Sequence, residues 1–456
     1  MKTNKEKNQI DLGKDPIVSL LFKMSLPSVV AMLVMAMYNV VDTFWIAKIN
    51  PEAIAALTIC FPIQMLLGGI GVGTGAGAGS FASRMFGANN TLRANQTAGQ
   101  ILFLSAFLGI LVILLGTIFC DPVLRFFGAT KSILPVSRIY LEIVVFGAPF
   151  MFFMMMSDYL FRAEGNPNVP MFIIITSAVL NAVLDPFLIF GWGPFPEMGI
   201  RGAAVATVTS QLLTFFLSLY FLLSHRSGYH VRFRDILPRR SIILSIYQVG
   251  LPSFITNIGM SAVLLIYNHR LGSFGDLAIA TLGLNFRING VIMMLLFGIG
   301  HGVMPMTGFN YGARNYDRIK EIARVTTKCT TLIGGVSFLL IEICARPLLA
   351  AFTRDPDLIA IAVPALRIYI ATQMLVGPMV MWINILLGMG KGVTTMILMV
   401  SRQFLFVVPL LYILPLSFGL NGVWMAQPVS NLIAFFIIFF WIKIEMNRLP
   451  EAGTTL

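Results

Sequence analysis

The sequence predicts an all-α polytopic membrane protein with twelve transmembrane helices in two pseudo-symmetric six-helix bundles. Three observations carry that prediction. Of its 456 residues, 57% are hydrophobic and 11% charged, and the mean hydropathy is +0.84; soluble domains carry about 25% charged residues. Twelve helices of about 20 residues need roughly 240 apolar-rich positions, which this chain supplies. The second half also repeats the first at a nearly constant offset. In hydrocarbon a chain that is not a closed barrel satisfies its backbone only as helices.

Taken in order, the apolar runs place spans at 25–47, 53–83, 97–120, 134–161, 168–190, 200–224, 242–271, 277–308, 322–345, 358–388, 394–416 and 420–443. Residues 1–16 are polar and Lys-rich, and the apolar run that follows is too long for a signal-peptide core, so no cleavable leader is expected. The longest polar break, 225–241, holds five Arg and one Asp. Lys and Arg in alternate loops number 21 on the N-terminal side against 7 on the other, which predicts cytoplasmic termini. The net charge of +12 therefore reflects topology and not nucleic-acid binding. Cys60, Cys120, Cys329 and Cys344 stand alone in or beside apolar runs and read as small buried hydrophobes.

The repeat pairs Ser25-Leu26-Pro27-Ser28 with Gly250-Leu251-Pro252-Ser253, an offset of 225. Gly73, Gly75, Gly77, Gly87 and Ala88 meet Gly298, Gly300, Gly302, Gly312 and Ala313 at the same offset. Farther along, Pro149 matches Pro378, and Gly199, Gly202 and Ala206 match Gly419, Gly422 and Ala426. The expected organisation is a bundle at 1–225, a basic linker at 226–241 and a bundle at 242–456, related by a pseudo-two-fold along the membrane normal with a cavity between them. The glycine-rich run 68–79 has no Lys-Ser/Thr ending and reads as close helix packing, not a phosphate loop.

Acidic residues inside these spans cost roughly 2.5 kcal/mol or more and mark function. Asp185 lies in an apolar run with Asn181 one turn before it on the same face. Pro186 follows directly and leaves the carbonyl of Ala182 free. Asp42 lies in the first span with Asn39 three residues before it. Their repeat mates are Tyr267 and Val408, and Asp158 likewise faces apolar positions around 383–387. Ion coupling is therefore expected in the first half. Carboxylates with amide neighbours suit Na+ or a shared proton equally. Asp158 precedes Arg162 by four residues, so a local ion pair competes with a cavity role. Pro27 either kinks the first span or starts it near the interface. Arg287 and Arg402 are intramembrane cations that line a cavity or counter a carboxylate, with snorkelling to the cytoplasm open for Arg402. A lone His301 is more often a packed or hydrogen-bonded residue than a proton carrier. The Met-rich stretch including Met154 suits an adaptable pocket, and equally a lipid face.

These pieces resemble the multidrug and toxic compound extrusion (MATE) transporters, in their DinF-like bacterial branch. The resemblance covers nearly the whole chain: LPS at the start of each half, YNVVDTFWIAK, RAEGNP, LNAVLDPFLIFG and GIRGAAVAT. It implies a V-shaped secondary antiporter that exports organic cations and amphipathic drugs against H+ or Na+ by alternating access. It places coupling at Asp42, Asn181 and Asp185 with Thr207 as a fourth oxygen, and the bending of the first span at Pro27. Asp158 stands where the branch usually has Asn or Glu. Asn39, Asp158, Met154 and Arg287 are the expected cavity residues. The resemblance further implies a monomer in the bacterial inner membrane, contacting lipids and drug-like cations, with no cofactor, no resident metal beyond a Na+ at Asp42, Asn181 and Asp185, and no nucleic acid. A lipid-linked saccharide flippase of the same superfamily is the alternative, and three first-half carboxylates favour cationic cargo over a pyrophosphate. A membrane enzyme is disfavoured, since the four His show no ligand spacing and HExxH and GxSxG are absent.

Overall fold

A computed structural model describes residues 10–450. The helices in chain order are α1 (Ile17–Ala47), α2 (Pro51–Gly87), α3 (Thr91–Ile118), α4 (Cys120–Phe126), α5 (Leu134–Phe146), α6 (Ala148–Ala163), α7 (Asn168–Phe190) and α8 (Ile200–Leu223). A short α9 (Phe233–Ile236) lies in the basic break. The second half continues with α10 (Arg240–Gly272), α11 (Asp276–Gly312), α12 (Tyr316–Ala350), α13 (Pro356–Ile370), α14 (Gln373–Gly388), α15 (Gly392–Val400), a π-helical segment (Ser401–Val407) and α16 (Val408–Asn447). Nine helical runs among the described residues are each long and apolar enough to cross a bilayer. The pairs α5–α6, bent by 53°, and α13–α14, bent by 48°, bring the number to eleven. The run Gly392–Asn447 is two spans, because Gly419 turns the chain with φ 55° and ψ −136°. Twelve spans result, with the first beginning at Ile17, earlier than the apolar pattern predicts.

The helix ends follow from local chemistry. The Asn50 side chain accepts from the Ala53 amide at 2.7 Å, with Pro51 supplying a preset φ at the first helical position. The Asn90 side chain caps α3 in the same way, accepting from the Arg93 amide at 3.1 Å. The repeat is visible even in backbone strain. Among the described residues Asn89 and Arg314 are the non-glycine residues with positive φ, at 55° and 57°, and they stand at the repeat offset. Gly199, φ 54°, is the mate of Gly419 and precedes α8 as Gly419 precedes the twelfth span.

The two halves meet along a seam of small residues. The last turns of α2 pack on α10 and α11, and those of α11 pack on α1 and α2. A Cβ on Gly87 would overlap the Phe309 carbonyl, and one on Gly312 would overlap the Arg84 carbonyl. These are the two halves of one pseudo-two-fold contact. Gly77 meets the Ile246 backbone and Gly302 the Met24 backbone in the same manner. Backbones this close gain dispersion contacts that larger residues forbid. The seam occupies only the ends of α2 and α11 nearest the basic break. Toward the other side, Phe61 and Met65 of α2 and Phe286, Arg287 and Val291 of α11 are exposed. Close backbone contact between the halves is therefore found, at α2 and α11, on the linker side.

The break between the halves is strapped to α3 and α6. Glu164 Oε2 accepts from the Gly228 amide (2.8 Å) and the Ser227 hydroxyl (3.0 Å), and the buried Tyr229 donates to the Leu160 carbonyl (3.0 Å). Gln100 donates to the carbonyls of Asp235 and Leu237, both at 2.9 Å, and accepts from the Arg239 amide at 2.9 Å. The five arginines of this stretch point outward. Residues 10–16 cover the same end, where Asn310 donates to the Leu12 carbonyl (2.9 Å) and Arg318 to that of Asp15 (2.7 Å).

Two outcomes follow. Gly87→Val and Gly312→Val set a side chain against backbone that cannot yield, so each should cost about 1–3 kcal/mol or more and lower Tm in detergent. Gly283→Ala, with nothing within 4 Å of the added methyl, should leave Tm unchanged. Burial pushes the Glu164 carboxyl up to about 7 against the opposing pull of the Gly228 and Ser227 hydrogen bonds. An acid whose folded value lies above its unfolded 4.5 stabilises the strap at low pH, and that contribution is lost as pH rises through about 7. Amide exchange at 228–230, corrected for intrinsic rate, should therefore accelerate between pH 5 and pH 8, and Glu164→Gln should flatten the dependence. A flat wild-type profile would sink this coupling.

Candidate functional site

Helices α1 and α7 pack along each other and α8 packs on α7. The contact brings Asp42 of α1 and Asp185 of α7 together, 143 residues apart in the chain, with their carboxyl groups within hydrogen-bonding reach. Asp185 is 0% exposed. One oxygen of each carboxyl is buried and has no hydrogen-bond partner among the described residues. Asn181, also buried, links this pair to α8. With its amide oriented to satisfy both ends, its nitrogen donates to Asp185 Oδ2 (2.9 Å) and its oxygen accepts from the Thr207 amide (3.2 Å). The four residues expected together do stand together.

Three polar residues that the sequence reading passed over complete the surround. Tyr38 stands one turn before Asp42 on α1. Its i,i+4 spacing to Asp42 was a usable signal. Tyr140 of α5 is 2% exposed and its hydroxyl accepts from Gln64 of α2 at 3.2 Å. Nothing in their local sequence distinguishes them. Asn39 is exposed, lies outside this hydrogen-bonded set and accepts from the Thr43 hydroxyl only through its backbone carbonyl. Met154 packs in the apolar cluster near the strap, with its sulfur accepting from the Thr214 hydroxyl at 3.3 Å, away from the carboxyl pair. Arg287 is exposed on α11, beyond the seam. Pro27 is buried well inside α1, beside the Ser25–Ile299 contact of the seam, so it does not start a helix at the interface.

Asp158 is in a different place from the carboxyl pair. Its carboxylate receives Arg162 Nη2 at 2.8 Å, and Arg162 Nη1 donates to Nδ1 of His301 on α11 at 2.8 Å. Tyr159 lies against both, 5.9 Å from the Arg162 guanidinium and 5.6 Å from the imidazole. His301 is thus a hydrogen-bonded residue, as expected, and the second-half end of a link between halves. An Nδ1 that accepts leaves the proton on Nε2, which fixes the neutral tautomer. Arg402 does not snorkel. It turns into the second half and its Nη1 donates to Asn431 Oδ1 at 3.0 Å.

The geometry is that of a two-bundle membrane protein with paired carboxyls in one bundle, and its relatives are of the same kind. The chain is 26% identical over 448 residues to the multidrug export protein MepA of Staphylococcus aureus, covering 96% of this chain and 98% of that protein. It is 27% identical over 428 residues to a FAD transporter of Shewanella oneidensis, covering 94% of each. Among solved structures, an outward-facing multidrug resistance MATE family transporter of the MOP superfamily superposes with a TM-score of 0.89 at 27% identity, covering 96% of this chain and 97% of that one. The MatE family model matches twice, at residues 27–187 and 252–413, once in each half. The chain belongs to the MatE family of multi-pass membrane transporters.

Proposed function

We propose that this chain is an alternating-access antiporter that exports organic cations and amphipathic small molecules in exchange for H+ or Na+, with coupling at Asp42 and Asp185. The observation that carries the reading is the facing carboxyl pair inside the first half, Asp185 buried and Asp42 half-buried, with an unpaired oxygen on each side. Two carboxylates this close cannot both stay charged in a low dielectric without a proton or a cation between them. Either ligand would neutralise the pair and release a cationic cargo. The Thr207 hydroxyl beside Asn181 supplies a neutral oxygen of the kind that suits a hard cation. The positive-inside bias of the loops supports a cytoplasmic linker side and an exterior opposite side. The halves 1–225 and 242–456 act as the rocking bodies on the linker 226–241, in a bacterial inner membrane, as a monomer needing no cofactor.

Asp158, Arg162 and His301 form the cytoplasmic gate in this reading. A buried arginine that loses one partner costs about 3–5 kcal/mol, so the triad holds the linker side until the halves part as a unit.

Efflux of ethidium from proteoliposomes under a pH gradient or a Na+ gradient, imposed separately, tests the proposal. One gradient should drive transport, and Asp42→Asn and Asp185→Asn should each reduce it to the protein-free background. Transport that persists in both variants places the coupling elsewhere. Arg162→Gln should weaken the linker-side contact and raise amide exchange at the last turns of α2 and α11. His301→Gln keeps an acceptor for Arg162 and should do so less. Equal exchange in all three proteins removes the triad from the gate.

A further inference from the structure

The buried polar set of the first half has a counterpart in the second. Asp42 falls on Tyr267 and Gln64 on Asn289 at the offset of 225. Tyr140 falls on Tyr369 at the offset that joins Pro149 to Pro378, and Thr207 falls on Gln427 at the offset that joins Gly199 to Gly419. Pro186 falls on Pro409, next to the Asp185–Val408 pair. The counterparts also meet in space. The Tyr267 hydroxyl donates to Gln427 Oε1 (3.5 Å), and the Gln427 amide donates to Asn431 Oδ1 (3.3 Å). Asn431 in turn donates to the Thr372 hydroxyl (3.3 Å). Tyr369 packs its ring edge-on against Phe286, which is exposed on α11.

The two sets differ in the sign of their charge. The first holds two carboxyls, while in the second Asp42 is replaced by a phenol and the charged group is Arg402. Pro409 has no amide hydrogen to give, and its ring crowds the Leu405 carbonyl. The helix before it widens into the π-helical segment, which carries Arg402 inward. Among the described residues no carboxylate pairs with Arg402. Its Nη1 is taken by Asn431, its Nε is buried without a partner, and Nη2 bonds no described residue. The Nε–Nη2 edge of a guanidinium is a two-donor fork that fits two oxygens of one carboxylate or phosphate. An uncompensated cation at this depth is costly, which calls for an anionic occupant.

We infer that the second half carries a site for an anionic group, a carboxylate or a phosphate, received on the free edge of Arg402 among Tyr267, Gln427 and Asn431. The inference rests on the transporter reading only for the purpose of the site, which would extend the cargo to zwitterionic and anionic amphipaths. The binding chemistry is independent of transport.

Fluorescence polarisation on the full chain in detergent tests it with a matched dye pair, rhodamine B with its free carboxylate and its ethyl ester. Wild type should bind the acid at least about tenfold tighter than the ester, the scale of one charged hydrogen-bond pair. Arg402→Gln should reduce that ratio to near one while ester binding persists. Should Arg402→Gln fail to fold, Tyr267→Asp supplies an internal counter-ion and should abolish the ratio in its place. Displacement of the acid from wild type by phosphatidylglycerol would identify a lipid headgroup as a source of the anion. Displacement by inorganic phosphate would identify a free ion. A wild type that binds acid and ester alike, or a ratio that survives both substitutions, overturns the site. Failure of ethidium efflux under both gradients would remove the antiporter reading and leave the polarisation result standing.

Discussion

The constraint on which the structure depends is backbone contact between the two halves at one end only. Glycines at the ends of α2 and α11 let each helix lie directly on the carbonyls of its partner. Contact of that kind is short-ranged and specific, so it holds the linker side shut without engaging the far side. Beyond that end the exposed residues of α2 and α11 lie outside the backbone contact. The carboxyl pair does not sit in the seam. It is held within the first half by α1, α7 and α8, so its geometry can change without breaking the contact between halves.

A second constraint is the expense of charge in hydrocarbon. Each intramembrane charge described here has a distinct solution. Asp42 and Asp185 share each other and Asn181; Asp158 and Arg162 pair and extend to His301; Arg402 uses an amide and keeps an open edge. Satisfied groups of this sort specify an arrangement more than they stabilise one, since an apolar replacement of similar volume is often as stable. That is why they are read as working parts.

Much of this was legible in the sequence for physical reasons. Asp42, Asn181 and Asp185 announce themselves because charge and amide groups are rare in apolar runs and helical spacing assigns their faces. The glycine repeat announced close packing, and the 225-residue offset announced which helices would be equivalent. What stayed hidden depends on pairings across the chain. Gln64 and Tyr140 meet from separate helices, and Arg162 finds His301 139 residues away. No local pattern encodes either contact. The bends between α5 and α6 and between α13 and α14 occur inside runs whose hydropathy is continuous, so apolar content alone reads each pair as one straight span. The widening before Pro409 needs the register of hydrogen bonds, which composition does not carry.

The strap on α3 and α6 changes what the segment between the halves is mechanically. Sixteen residues of free chain could reach about 50 Å and would leave the two bundles to find each other by diffusion. Hydrogen bonds from Glu164, Gln100 and Leu160 fix that length to the first half as far as the Arg239 amide, directly before α10 begins at Arg240. The connection is thereby a short pivot with a defined origin. The seam of the second half is thereby tethered close to its partner surface, at a high local concentration.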